Sequence, residues 1–178
     1  MIIPGFLIAI CTFPGVIVHE AAHLFFCKIR GVGVMEVCFF QLKNPSGYVI
    51  HEKTEDFTST FLISVGPFLI NSLLTLVFCF PASIPINAFH QSDPISYFLM
   101  WVGLSIGMNA FPSNADARNI WDHAKSAARE RNLLAIASFP LVVVIFVANL
   151  LRIVWADLLY GVALGVWLPQ SLLHLLSR

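Results

Sequence analysis

Apolar positions run through this chain in long unbroken stretches. They follow neither the three-four spacing of a surface helix nor the alternation of a half-buried strand. A bilayer core takes about 20 apolar residues of helix. The first stretch covers residues 3–27 and is closed by Lys28 and Arg30. Residues 31–56 break the pattern with Gly31, Gly33 and the turn signal Asn44-Pro45-Ser46-Gly47, which predicts a short hairpin within 32–55. A second stretch occupies 57–80, and a proline-bearing polar loop fills 81–94. A third stretch occupies 95–111. Residues 113–132 concentrate charge and predict a surface helix. From Leu133 to Leu176 the chain is largely apolar, and its only charged or imidazole side chains are Arg152, Asp157 and His174. One helix of that length would measure roughly 66 Å, so a fold-back near Arg152 and Asp157 is expected, making spans four and five. The predicted class is an all-α polytopic membrane protein in a single domain. It has about five transmembrane helices and a short cytoplasmic β-hairpin after the first.

Composition strengthens this picture. Hydrophobic residues make up 58% of the 178, charged residues 11%, and mean hydropathy is +0.82. Soluble domains average about 45–50% apolar and about 25% charged. The net charge of zero gives no electrostatic footprint for nucleic acid. Four cysteines without a CxxC pair imply neither a disulfide framework nor a thiolate metal site. The first stretch lacks a basic leader and a small-residue cleavage site, so it is expected to be retained as a span.

Lys28, Arg30, Lys43 and Lys53 fall between the first two stretches, and Arg118, Lys125, Arg129 and Arg131 fall in 113–132. The 81–94 loop has no lysine or arginine. By the positive-inside rule both basic segments face the cytoplasm and 81–94 faces outside. The N-terminus is then outside, Arg178 is inside, and the compartment is a cell (plasma or inner) membrane. Arg152 and Asp157 are expected as interfacial anchors, with Arg152 on the outer side and a buried ion pair between them as the alternative.

The chemistry begins at His19-Glu20-Ala21-Ala22-His23. Histidines four apart share a helix face and can bind one metal ion, with Glu20 beside the open coordination position as a general base. Random order of this composition gives the pattern in about 0.5% of chains, so it is fairly specific. Three polar groups within five residues of a span also need a compensating interaction, which a metal supplies. A catalytic zinc site usually has a third protein ligand. Asp116 lies at the matching end of the third stretch, and Asp122 and His123 are competitors further along. Asn109 and Asn114 are polar groups that could steer substrate or orient ligands, and Pro112 can open the helix near the site. His51, His90, His123 and His174 are otherwise isolated. The small-residue pairs Gly103/Gly107 and Gly161/Gly165 permit close helix packing.

His19-Glu20-Ala21-Ala22-His23, then Gly66-Pro67-Phe68-Leu69-Ile70-Asn71, then Asn109-x-x-Pro112 with Asp116, together resemble the site-2 protease family of intramembrane zinc metalloproteases. The elements occur in that family's order and cover about residues 15–120. The resemblance implies a three-helix catalytic core within 1–120, zinc held by His19, His23 and Asp116, and Glu20 as catalytic acid/base. It also implies supporting roles for Asn71, Asn109 and Pro112. The expected activity is endopeptidase cleavage of membrane-embedded protein segments near the cytoplasmic side, with the 32–55 hairpin offering an edge to the substrate strand. The rivals are hydrolysis of another amide or ester and a non-catalytic metal-binding scaffold; a purely structural zinc would have no use for Glu20.

With native cysteines removed, a cysteine placed at Ser92 is expected to react with an impermeant thiol reagent on intact cells, and one at Lys125 to be protected. The reverse pattern would overturn the assignment of sides.

Overall fold

The computed structural model describes residues 5–88 and 93–176. His90, Ser92 and Arg178, which figure in the expectations above, lie outside these. The first apolar stretch forms two helices, α1 (Gly5–Cys11) and α2 (Phe13–Ile29). The break between them has a covalent cause. Pro14 has no N–H to donate to the Ile10 carbonyl, and the Thr12 hydroxyl instead turns back to the Ile8 carbonyl (2.8 Å). The expected hairpin is present as β1 (Val34–Cys38) and β2 (Tyr48–His51), antiparallel, with Val37 opposite Val49 and Cys38 opposite Tyr48.

The longest helix, α3 (Phe57–Ser83), continues into a π-helical turn, Ile84–Ala88. Its start is set by Asp56, which accepts the amides of Thr58 (3.2 Å) and Ser59 (3.0 Å) and pairs with Arg30 at the end of α2 (2.9 Å). The Ser59 hydroxyl, with Arg30 and these amides, holds the Asp56 carboxyl down at about 2. Next come α4 (Pro94–Met108), capped by Asp93, α5 (Asn114–Arg129), capped by Ser113, and α6 (Leu133–Leu151), capped by Asn132. A 3-10 turn at Arg152–Val154 and a left-handed Trp155 lead into α7 (Ala156–Val162). A second π-helical turn, Ala163–Trp167, joins α7 to α8 (Leu168–Leu176).

Among the described residues three helical segments are long and apolar enough to cross a membrane: Phe57–Ile86, Leu133–Val154 and Ala156–Leu175. That is fewer than the five expected. The first expected span is divided at Thr12 and carries the polar cluster of α2, and α4 is a shorter apolar helix of 15 residues that ends ahead of Pro112.

The expected fold-back in the C-terminal third is also corrected. The chain breaks where expected, at 152–155, but does not reverse. Next to α3, α4 runs antiparallel: a side-chain carbon at Gly103 would meet Cys79, one at Gly107 would meet Thr75, and Asn109 lies against Asn71. Beyond the site, α5 continues in the same sense toward the start of α3, where Phe57, Val65, Ala117, Ile120 and Ala124 share a buried cluster. Helix α6 returns along α5, with Trp121 against Phe139, Asn149 on the Pro112 carbonyl and Arg152 on the Phe111 carbonyl. The α7–α8 path then continues in that same sense. Gly161 abuts Met108 and Leu104, Gly165 abuts Leu104 and Cys79, and α8 packs against the Ile84–Ala88 turn. Each half buries its surface on a different partner, α6 on α5 and α7 on α4, so the two halves meet only around the turn. Among the described residues, helix direction therefore reverses three times, at the hairpin, after α3 and after α5.

This geometry puts the end of α8 at the same end of the bundle as the Ile84–Ala88 turn. A cysteine at Ser171 is expected to show the reagent accessibility of the 81–94 loop and the opposite of Lys125. Matching accessibility at 171 and 125 would overturn this path.

Candidate metal centre

His19, Glu20 and His23 are buried on α2, on the face that meets α3 and α4. That face approaches very closely. A side-chain carbon at Gly15 would lie 2.0 Å from the Ser105 carbonyl oxygen, and Gly15 donates its own amide to the Ser105 hydroxyl (2.9 Å). Close contact brings main-chain carbonyls within reach of the imidazoles. His19 Nδ1 donates to the Asn109 carbonyl at 2.7 Å, and His23 Nδ1 donates to the Ile63 carbonyl at 2.8 Å.

Both acceptors are free because of nearby sequence. In an α-helix the Ile63 carbonyl would accept the amide of residue 67, but Pro67 has none. The Asn109 carbonyl closes α4, and the Ser113 amide, which a continued helix would aim at it, goes to Asp116 Oδ2 instead (2.8 Å). Asn71 Nδ2 also donates to the Asn109 carbonyl (3.0 Å) and to that of Ile106 (3.2 Å), fixing the end of α4 against α3. Asn109 Nδ2 ties the same end to the Ser105 carbonyl (2.9 Å) and to the Thr12 carbonyl at the start of α2 (3.3 Å).

A carbonyl can only accept, so both Nδ1 atoms carry the proton, and in the neutral imidazoles both Nε2 atoms present lone pairs. Those atoms stand 3.2 Å apart. Two tetrahedral ligands, each about 2.0–2.1 Å from a zinc-sized ion, stand about 3.3 Å apart. Asp116 Oδ1 lies 3.7 Å from His23 Nε2. Its other oxygen is occupied as the reciprocal half of the α5 capping box, accepting the Ser113 hydroxyl (2.6 Å) and amide. One ligand atom from each of His19, His23 and Asp116 lies within 4.8 Å of the others, and among the described residues this is the grouping that could hold a metal ion. The set fits a three-ligand ion with an open position.

The Glu20 side chain lies beside this cluster and makes no hydrogen bond to another described residue. It borders two adjoining cavities of about 250 and 210 Å³. The hairpin's turn roofs both: a side-chain carbon at Gly47 would lie 2.7 Å from Glu20 Cγ. A larger residue at 47 would displace the carboxylate.

The structure thus brings His19, Glu20, His23 and Asp116 together, with Asn71 and Asn109 holding the scaffold and Pro112 buried in the segment between α4 and α5. Asp122 and His123 stand apart, bonded within α5 to Lys125 and to the Asn119 carbonyl. His51 borders the smaller cavity. Arg152, expected at an outer interface, instead borders the larger cavity with His19 and Glu20. The signal for it was available, since it is the one lysine or arginine between Leu133 and Leu176. No protein-family model, curated protein or solved structure matches the chain.

Purified Asp116→Ala is expected to lose most bound zinc, as measured by plasma emission spectrometry, with Asp122→Ala and His123→Ala near the parent level. Full zinc in Asp116→Ala with loss in His123→Ala would move the site to the far end of α5.

Proposed function

We propose that the chain is an intramembrane zinc endopeptidase that cleaves membrane-embedded segments of other proteins. The observation that carries this reading is the pair of converging Nε2 lone pairs, closed by Asp116 Oδ1, with an unpartnered Glu20 at the edge of the cavities. Two imidazoles and one carboxylate form a donor set of the kind catalytic zinc uses. Zinc bound there supplies Lewis acidity to a scissile carbonyl and lowers the pKa of an attacking water.

The chain's own residues divide the remaining work. The carbonyls of Asn109 and Ile63 keep the imidazoles in the ligating tautomer. The capping box keeps one Asp116 oxygen turned to the site. Glu20 takes a proton from the attacking water and returns it to the leaving nitrogen. The Asn44–Gly47 turn restricts bulk water above it. A substrate segment unwound to an extended form can add to the free edge of the hairpin, which presents the main-chain groups a strand needs. These features, with the motifs of α2, α3 and the 109–116 segment, resemble the site-2 protease family. A scaffold that merely held zinc would gain nothing from Glu20.

The proposed membrane arrangement keeps the basic segments 28–56 and 113–132 in the cytoplasm and 81–94 outside. It is revised at the C-terminal end, because the path from α6 through α8 does not reverse. The end of α8 then falls outside with the 81–94 loop.

The test is co-expression with a library of single-span proteins, comparing wild type and Glu20→Gln by mass spectrometry of products. Cleavage within apolar segments is expected from wild type. Glu20→Gln is expected to keep its zinc and lose about 10²–10⁴-fold in rate, the usual scale of general acid–base catalysis. Retention of most activity in Glu20→Gln would sink the mechanism.

A further inference from the structure

A charged side chain inside an apolar bundle is costly unless it is paired, and one left without a partner is a functional-site hypothesis by default. Arg152 has no direct ionic contact, although the charges of Asp157 and Asp116 act on it from a distance. It is half-buried at the end of α6, in a mostly apolar stretch whose nearest polar neighbours are Asn149 and Asp157. Its one hydrogen bond runs from Nη2 to the Phe111 carbonyl and is long, at 3.4 Å. Nε is buried without any partner. None of the ion pairs among the described residues includes it. Asp157 lines the neighbouring cavity with Arg152 and acts on it through space, while its Oδ1 accepts the Leu158 amide at the start of α7 (3.0 Å).

The location of this unpaired cation is as informative as its isolation. Arg152 borders the larger active-site cavity together with His19 and Glu20, and also a neighbouring cavity of about 200 Å³ lined by Ala9, Thr12 and Asp157. It therefore stands where the cleft passes from the metal-ligating cluster toward α1. The bond to Phe111 tethers it to the same 109–113 segment that supplies the His19 acceptor. A guanidinium offers five donors in a planar fork shaped for a carboxylate. Main-chain carbonyls of a peptide could each occupy one donor, but only an anion also neutralises the charge.

We infer that Arg152 is the anion subsite of the cleft and binds a carboxylate of the substrate segment next to the bond that is cut. The inference rests on the peptidase reading above and adds a substrate class to it: segments bearing an acidic side chain, or ending in a free carboxylate, at that position. Arg152 acts in recognition; Glu20 remains the acid/base.

The experiment measures binding without turnover. Zinc-loaded Glu20→Gln protein in detergent micelles is titrated, by fluorescence anisotropy, with three versions of one labelled apolar decapeptide. One is amidated and neutral, one is amidated with a single central Asp, and one is neutral with a free C-terminal carboxylate. At least one anionic version is expected to bind about tenfold or more tightly than the neutral one, the scale of a charge-assisted hydrogen bond. Whichever version gains identifies the source of the carboxylate. In Arg152→Gln on the same background the advantage is expected to vanish, while Arg152→Lys retains part of it. Zinc content reports whether each variant has kept its site.

Equal affinity for all three peptides would overturn the inference, and it requires no Arg152 variant. So would an advantage that persists undiminished in zinc-replete Arg152→Gln. The peptidase reading fails separately. It is lost if the Glu20-containing protein cuts none of these peptides and no library protein while the carboxylate preference is intact.

Discussion

The imidazoles of His19 and His23 are each held by a main-chain carbonyl, and the rest of the site depends on that pair of bonds. A carbonyl leaves no choice of tautomer, so each Nδ1 is a donor and each Nε2 is committed to face its counterpart 3.2 Å away. Two lone pairs at that distance repel unless a cation lies between them. The fold therefore builds an electrostatic demand into its centre before any ion is considered. Asp116 adds to that demand with a third donor atom, and its geometry comes from a helix start, because the capping box that begins α5 also fixes which oxygen turns inward.

Several features that read as ordinary membrane-helix packing serve this arrangement. Gly15 lets α2 approach α4 closely enough for His19 to reach the end of α4. Asn71 is fully buried and spends both Nδ2 hydrogens on carbonyls at that end, so α3 and α4 hold a common register at the depth of the site. Gly107 and Gly161 bring α7 against α4, and this contact, with the pairing of α5 and α6, sends the C-terminal path along α3 instead of back across it.

Much of this was legible in the sequence. The helical apolar runs, the hairpin around Asn44–Gly47 and the His-Glu-x-x-His face all follow from local pattern, and Asp116 was singled out by its depth. Local pattern could not resolve what depends on partners. Residues 133–176 show only that a break is needed; whether the chain then reverses is decided by which helix each half packs against, and no periodicity records that. Thr12 divides the first apolar run for a reason present in the sequence, Pro14, but hydropathy averages across it. Arg152 was read as an interfacial anchor because an arginine at the end of an apolar run is commonly one. Its place beside Glu20 emerges only once α6 is laid along α5.

Pro67 has a consequence for how such a site is inherited and how it can be found. The acceptor for His23 is the backbone of residue 63, vacated by the missing amide four positions on, so the side chain at 63 takes no part in the bond. Exchanging Ile63 for another apolar residue leaves the acceptor in place, and an alanine scan would score the position as packing alone. The instruction to orient the imidazole is written as the absence of a hydrogen atom on a different residue. An atom-level substitution, such as an ester in place of the 63–64 amide to weaken the carbonyl as an acceptor, would expose what side-chain mutagenesis there passes over. A bond held in this way is indifferent to the side chain at 63 and changes when residue 67 regains an amide hydrogen.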